Sequence, residues 1–179
     1  MRYVALLRGI NVGGNKLVPM AQLKTLLSGL GYGQPTTLLQ SGNAVFTSSV
    51  KSSAKVEKAI ETALLKTFGF EVSVVVRTSD AWKLAVGNNP FPHAVQNPSA
   101  FLVYFLSGTP EPAALATLTK QRTGHDEFRV VRQEIYAQFP DGIRDSKLAA
   151  ALVNPKLGVK ATGRNWNTVL KLQALLDGA

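Results

Sequence analysis

The most informative stretch of the chain is TTLLQSGNAVFT, residues 36–47, because it holds two short β-prone runs on either side of a turn. Thr36–Gln40 and Ala44–Thr47 are the runs, and Ser41-Gly42-Asn43 has the composition of a tight hairpin turn. The stretch therefore predicts two antiparallel strands that are neighbours in one sheet. The segments on either side of it indicate what kind of sheet this is.

A strand and a helix are predicted before the hairpin. Tyr3–Leu7 is apolar at every position, which is typical of a strand covered on both faces. After a loop rich in glycine and asparagine, Pro19 can occupy the first turn of a helix. Hydrophobic residues repeat there at helical spacing, and the glycines at positions 29, 31 and 33 end the helix.

A helix and a strand are also predicted after the hairpin. Ser52 or Ser53 can cap the helix, and Gly69 can end it before the strand Glu71–Arg77. Residues 1–78 thus give the order strand, helix, strand, strand, helix, strand. That order is the ferredoxin-like βαββαβ unit.

Residues 79–179 repeat this order incompletely. A proline-rich irregular stretch, Gly87–Ser99, precedes a strand, a helix and two paired strands. Ser146–Val153 and Asn165–Leu176 look helical, and no final strand is visible. We therefore expect an α+β protein with two ferredoxin-like halves, 1–78 and 79–179, of which the second is incomplete and ends in helices. The halves could be separate units or one compact domain.

The composition is that of an ordinary folded protein. Of the 179 residues, 45% are hydrophobic and 17% are charged, unlike the composition of disordered chains. The lack of cysteine excludes disulfides, thiolate metal sites and cysteine nucleophiles, and it fits a reducing compartment. The apolar run near the N-terminus is too short for a signal-peptide core or a membrane span. We expect a cytoplasmic protein with no membrane partner, no cofactor and no metal site.

The positive charge is concentrated at the two ends of the sequence. The formal net charge is +9. Residues 1–56 contain six Lys or Arg and no acid, residues 146–176 contain five and no acid, and the middle is nearly balanced. This distribution favours an anionic partner, and we predict that the basic ends meet on one face and bind nucleic acid weakly and salt-dependently.

Three motifs, in this order, carry a resemblance: ALLRGINVGG (residues 5–14), QSGNAVF (40–46) and TGRNWNT (162–168). Together they resemble an uncharacterised, mainly bacterial family, number 1697 among the domains of unknown function. The resemblance covers essentially the whole chain and implies a cytoplasmic α+β protein with two ferredoxin-like halves. It implies no established reaction, cofactor or partner, and it assigns no catalytic residue. The chain departs from the family pattern at Arg132-Gln133, where a glycine turn is usual, and at Gly163, which is often alanine.

The loop after the first strand is a candidate phosphate cradle, because it lies between a strand and a helix. Its spacing fits neither the P-loop nor the dinucleotide-binding pattern. The alternative is a turn that needs glycine and asparagine for its own geometry. The candidate ligand-binding residues here are Arg8, Asn11, Gly13, Gly14 and Lys16.

Ser41 and Asn43 are further candidates, although the segment could be only a hairpin turn. We expect this hairpin and the loop after the first strand to lie at opposite ends of the unit. In that case they would share a site only if a bulge or the second half of the chain brought them together.

Two predicted helix starts near the C-terminus form an anion site in outline, because helix N-termini attract anions. One start carries Ser146 and Lys147, and the other carries Lys160, Arg164 and Asn165. The alternative is two ordinary helix caps with solvated cations beside them. Trp166, which begins the last helix, could be a core residue or a surface for stacking a base.

Three functions are therefore open. The first is a polyanion-binding module for nucleic acid or another phosphate-bearing partner, which would use loops and helix N-termini. The second is an enzyme or sensor for a small phosphorylated ligand, and the third is a protein-interaction or self-association domain. The two histidines, His93 and His125, are most simply surface residues, so no catalytic residue is assigned, and the oligomeric state stays open.

Overall fold

The computed structural model describes residues 1–153 and 156–178. It begins with β1 (Arg2–Leu7), α1 (Met20–Gly29), β2 (Gly33–Leu38), β3 (Asn43–Thr47), α2 (Ser53–Phe68), β4 (Val74–Thr78) and α3 (Ser79–Gly87). A short 3-10 helix (Pro92–Gln96) then precedes β5 (Phe101–Leu106), α4 (Pro112–Thr119), β6 (Glu127–Val131), β7 (Glu134–Gln138), α5 (Lys147–Val153), β8 (Ala161–Asn165) and α6 (Trp166–Asp177). The α+β class predicted from the sequence is confirmed.

The chain divides into two compact units. Unit 1 comprises Met1–Leu84 and the chain from Lys171 onward, and unit 2 comprises Ala85–Leu170. The change of unit thus lies within α3, a few residues after position 78. The end of α6 belongs with unit 1 because the Arg2 guanidinium donates to the Leu176 carbonyl over 2.8 Å.

Unit 1 is built on a four-stranded antiparallel sheet of order β2-β3-β1-β4. The element order and this strand order confirm the first ferredoxin-like half. Strand β1 lies between two neighbours and is buried on both faces, as its uninterrupted apolar sequence predicts. One face carries alternate residues of β1 into a core shared with α1 and α2: Tyr3, Ala5, Leu7, Leu23, Leu27, Val56, Ile60 and Leu64.

Local signals place the ends of α2. The Ser52 hydroxyl accepts a hydrogen bond from the Lys55 backbone N–H over 3.3 Å, so Ser52 is the N-cap of the two candidates that the sequence offers. Gly69 ends the helix in the left-handed conformation at φ 77°, which costs glycine little.

The outer edge of this sheet at β2 is irregular. Its pairing with β3 shifts register between Gly33 and Thr36, and Gln34 within the shift has a φ of 50°. Pro35 lies in the same segment and has no N–H to offer. The edge therefore presents an interrupted row of hydrogen-bonding groups.

Unit 2 repeats the topology of unit 1. Its strands have the order β6-β7-β5-β8, and every neighbouring pair is antiparallel. The expectation that this half lacks a final strand is wrong, because β8 pairs with β5 from Leu102–Asn165 to Leu106–Ala161. Both halves are therefore complete βαββαβ units.

Two departures from the family pattern have visible structural settings. Gly163 lies in β8 opposite Tyr104, and a β-carbon at Gly163 would lie 2.6 Å from the Tyr104 ring, so glycine leaves room for the aromatic side chain. Arg132, in the two-residue connection between β6 and β7, takes a φ of 58° without glycine. The backbone of Arg132 is therefore in the left-handed conformation, which is strained for arginine and would not be for glycine.

No helix within residues 1–153 and 156–178 combines the length and the apolar character that crossing a membrane requires.

Candidate functional site

The loop after β1 is a small hairpin of its own. The Asn11 N–H donates to the Lys16 carbonyl over 3.2 Å, and the Asn15 N–H donates to the Val12 carbonyl over 3.1 Å. Gly13 and Gly14 form its turn with φ angles of 59° and 77°. The glycines thus meet the demands of the turn, as the alternative interpretation of this motif states.

Asn11 ties this loop to the β2–β3 turn. Its Nδ2 group donates to the carbonyls of Val18 (3.0 Å) and Gln40 (2.8 Å), and its Oδ1 accepts from the Val18 N–H over 2.8 Å. One side chain therefore fixes both the exit of the loop and the neighbouring hairpin. The Asn11 side-chain amide therefore has a structural role.

The two N-terminal motifs lie at the same end of the sheet, so the expectation that they lie at opposite ends is wrong. Because β3 is antiparallel to β1, the start of β3 lies beside the end of β1, with Leu6 opposite Asn43. The Leu7 N–H donates to the Gly42 carbonyl over 2.8 Å. Buried Asn43 donates to the Leu38 carbonyl and to the Ser41 hydroxyl, which closes the hairpin turn.

One of the two cations of this region, Lys16, is bonded to the main chain through its side chain. The Lys16 ammonium donates to the Glu71 carbonyl over 2.8 Å. Arg8 is half-buried, and its backbone N–H donates to the Ser73 carbonyl over 2.9 Å. Ligand binding by Arg8 and Lys16 stays a prediction.

Ser146 is a buried helix cap in unit 2. Its hydroxyl accepts from the Ala149 N–H over 2.8 Å and donates to the Asp126 carboxylate over 2.7 Å. The Thr123 hydroxyl donates to the same carboxylate oxygen over 2.9 Å. The geometry follows the cap alternative rather than an anion site, while the neighbouring Lys147 is exposed.

Ser146→Ala should therefore lower the free energy of unfolding by about 2–3 kcal/mol, because it removes the cap and one donor to a buried carboxylate. Chemical denaturation measures this loss. Ser28→Ala, which removes an exposed hydroxyl from α1, is the control and should change stability by less than about 0.5 kcal/mol. An Ser146→Ala variant of unchanged stability that loses affinity for phosphate compounds would contradict the structural role.

Arg164 precedes the last helix but lies in β8, and this strand carries its side chain into the interior. It is 8% exposed, and its guanidinium donates to the Thr162 hydroxyl (2.9 Å) and the Gly163 carbonyl (2.7 Å). Desolvation lowers the pKa of Arg164 to about 10, so the group stays charged at neutral pH. Lys160 immediately precedes β8, with its backbone N–H bonded to the Ser107 hydroxyl.

Asn165 and Trp166 have structural settings in unit 2. The Asn165 side chain accepts from the Thr168 N–H over 3.0 Å, so it caps α6, as the cap alternative states. Trp166 is 5% exposed, and its ring lies 5.0 Å from that of Phe101. It is the core residue that one of the two interpretations predicts.

His125, the histidine beside Asp126, is hydrogen-bonded to the Asp141 carboxylate. The backbone N–H and the ring Nδ1 of His125 each lie 3.0 Å from Asp141 Oδ2. The hydrogen bond from the His125 backbone, followed by that from its ring, lowers the pKa of the Asp141 carboxyl. Within the part of the chain that the structure describes, no hydroxyl is bonded to His125, and the pair is exposed.

Helix α2 carries an arrangement that the sequence interpretation missed. Glu57 and Glu61 lie four residues apart, a spacing that is most simply interpreted as a solvated helix face. They instead accept from the outward N–H groups of the edge strand β4: Val76 N to Glu57 over 2.8 Å and Val74 N to Glu61 over 3.0 Å. The sequence does contain a sign of this arrangement, because the two glutamates lie four residues apart on one helix face and the lysines do not share that face. The carboxylates and lysines of this helix therefore lie on different sides.

The lysines of α2 line an open groove of about 540 Å³, which we call the lysine groove. Its lining consists of three lysines, a threonine and three apolar residues: Lys55, Lys58, Lys66, Thr62, Leu30, Ala59 and Ala63. All three lysines are exposed. Among the described residues that line it, none is acidic, so the groove has a positive field.

The comparisons with known proteins agree with this fold. A family model described as "Protein of unknown function (DUF1697)" matches residues 1–136. The structure of a conserved bacterial protein from Streptococcus pneumoniae is similar, with a TM-score of 0.82, 24% identity and 98% coverage of both chains. That likeness concerns the fold alone. No curated protein matches the chain.

Proposed function

The chain belongs to the DUF1697 family of proteins of unknown function, and we propose that it is a polyanion-binding module whose contact surface is the lysine groove of unit 1. One observation carries the proposal. The acids of α2 are bonded to the edge of the sheet, whereas Lys55, Lys58 and Lys66 line a solvent-open groove. A surface with cations and no facing carboxylate is matched to phosphate groups.

The charge of unit 1 supports the same conclusion. The unit contains eleven Lys or Arg and five Asp or Glu, a net of +6, which is two thirds of the charge of the whole chain. Two of those acids are Glu57 and Glu61, which the β4 N–H groups occupy. Long-range attraction of an anionic polymer therefore favours this unit.

The contact surface differs from the one expected at the C-terminal helix starts. Arg164 and Ser146 are buried and bonded within unit 2, so they have no open face for a polymer. The meeting of the basic ends stays a prediction, since Arg8 and Lys16 belong to unit 1 and the C-terminal cations other than Lys171 belong to unit 2.

The length of the groove sets the expected salt dependence. Lys55 and Lys66 are eleven residues apart, which is about 16 Å along a helix. Three lysines that each neutralise one phosphate give a slope of log affinity against log salt of about −2.7 on duplex DNA and about −2.1 on single strands. Binding should be weak and tolerant of sequence, because the groove offers cations and few groups that read base edges.

The test compares two triple variants that remove equal charge. Lys55→Gln/Lys58→Gln/Lys66→Gln empties the groove of cations, while Lys120→Gln/Lys147→Gln/Lys156→Gln removes three exposed lysines of unit 2. Fluorescence anisotropy with a labelled 20-nucleotide strand and its duplex, at several salt concentrations, measures both. We expect the groove variant to lose at least about tenfold in affinity at low salt and most of its salt slope.

The control variant should keep the wild-type slope. Equal losses in both triple variants would assign the binding to net charge alone and overturn the groove. Absence of binding by the wild-type protein at low salt would overturn the polyanion function itself.

A further inference from the structure

Unit 2 contains a cavity of about 280 Å³ to which none of the three sequence motifs contributes. The 3-10 helix and the residue after it form one side, and the end of β7 with Pro140 forms the other. The volume lies near the lower end of the range for small-molecule sites. The cavity is separate in sequence from the lysine groove, and the inference below does not depend on that groove.

The amide of Gln138 in this cavity has a defined orientation. Its Nε2 group donates to the Glu127 carboxylate over 3.1 Å. Since a carboxylate only accepts hydrogen bonds, the nitrogen must be the atom that faces Glu127. The Gln138 oxygen is then an acceptor without a partner among the described residues.

Asn97 supplies the complementary donor. The Ser99 hydroxyl donates to Asn97 Oδ1 over 3.0 Å, which leaves the Nδ2 group without a partner in the described parts of the chain. The amide of Gln96 and the ring of His93 also line the cavity without a described hydrogen bond. The cavity thus has both donors and acceptors available on side chains.

The backbone that carries these groups is already ordered by its own hydrogen bonds. Asn97 N–H donates to the Ala94 carbonyl, Ala100 N–H to the Asn97 carbonyl, and Phe139 N–H to the Ala100 carbonyl, over 3.0–3.1 Å. A ligand would therefore spend little of its binding energy on ordering the main chain.

The lining disfavours a charged ligand. None of its described members is Lys, Arg, Asp or Glu, so a phosphate or carboxylate would find no fixed counter-charge there. Ala94, Ala100 and Pro140 supply apolar wall between the polar groups. Such a lining suits a flat, neutral molecule with polar edges.

We propose that this cavity binds an uncharged heterocycle of nucleobase size that presents a hydrogen-bond acceptor to Asn97 and a donor to Gln138. Amide side chains recognise base edges in this way, because an amide offers a donor and an acceptor side by side. A base can arrive as a free nucleoside or within a single strand, and the two sources share the same edge chemistry.

The experiment is a nuclear magnetic resonance titration of the full chain with adenosine, guanosine, cytidine and uridine. We expect at least one nucleoside to cause saturable shifts of the Gln96, Asn97 and Gln138 amide signals. Asn97→Asp keeps the oxygen that Ser99 needs but removes the donor, so it should weaken binding about tenfold. Asn88→Asp, an exposed change of equal charge in the same loop, should leave binding unchanged.

Two further arms separate the ligand classes. The matching mononucleotide should bind no more tightly than its nucleoside, because the lining has no fixed cation. If the mononucleotide binds more tightly, and the Asn97→Asp variant binds it as tightly as the wild-type protein does, the neutral-ligand proposal is overturned. A trinucleotide is also added to the triple variant of the lysine groove. If it shifts the same amide signals more strongly than the nucleoside does, the ligand is a base within a strand. Absence of saturable shifts with all four nucleosides and the trinucleotide would overturn the site.

Discussion

Gly42→Ala is expected to lower the free energy of unfolding by about 2–4 kcal/mol, from two separate causes. Gly42 has a φ of 80°, where an L side chain costs about 1 kcal/mol. A β-carbon there would also lie 2.8 Å from Leu7 Cβ and 2.7 Å from Ile10 Cδ1. Leu7 Cβ is attached directly to the backbone of a buried strand, so it cannot rotate out of the way.

Gly9→Ala is the matched control for that experiment. Gly9 also has a left-handed φ, 64°, but nothing lies within 4 Å of the position of its β-carbon. Its substitution should cost only the backbone term of about 1 kcal/mol. Chemical denaturation of both variants isolates the close approach between the hairpin turn and β1. Equal losses at the two glycines would show that this contact contributes nothing.

Arg164→Lys is expected to lower the free energy of unfolding by about 2–4 kcal/mol. One guanidinium nitrogen, Nη1, donates to both the Thr162 hydroxyl and the Gly163 carbonyl, and a lysine would have to place a differently positioned and more strongly hydrated ammonium at that buried point. The lysine charge would stay buried with fewer hydrogen bonds, and a buried cation without its partners is costly.

Thermal unfolding with and without excess phosphate or a mononucleotide measures this effect. Arg144→Lys makes the same exchange at an exposed position of unit 2 and should change stability by less than about 0.5 kcal/mol. A ligand that binds only the folded state must raise the melting temperature. An Arg164→Lys variant with wild-type stability that has lost a phosphate-dependent rise would show that Arg164 binds anions instead.

The sequence predicted those features that depend on neighbouring residues. Ser52 and Gly69 mark the ends of α2 because a cap and a left-handed terminus are local requirements. The apolar run Tyr3–Leu7 indicated burial on both faces, since each position shows its preference directly. Among the candidate site residues, Trp166 as core and Asn165 as a cap were predictable for the same reason.

The features that the sequence did not predict depend on distant partners. Strand β8 contains Gly163 and Asn165, which are poor strand signals. It pairs with the edge of β5, where Gly163 leaves room for the Tyr104 ring. The joining of the two N-terminal motifs depends on the antiparallel register of Leu6 with Asn43. The spacing of Glu57 and Glu61 indicates that they share one helix face, but their bonding to β4 depends on the packing of that strand beside α2.

The bonding of β4 has a consequence for how the chain behaves when it is concentrated. An open sheet edge is a template on which another chain can add a strand, and fibrils grow by that addition. Here Glu57 and Glu61 already occupy two N–H groups that an incoming strand would need, and the register shift with Pro35 interrupts the opposite edge at β2. We therefore expect unit 1 to resist the addition of strands at either edge of its sheet when the protein is concentrated.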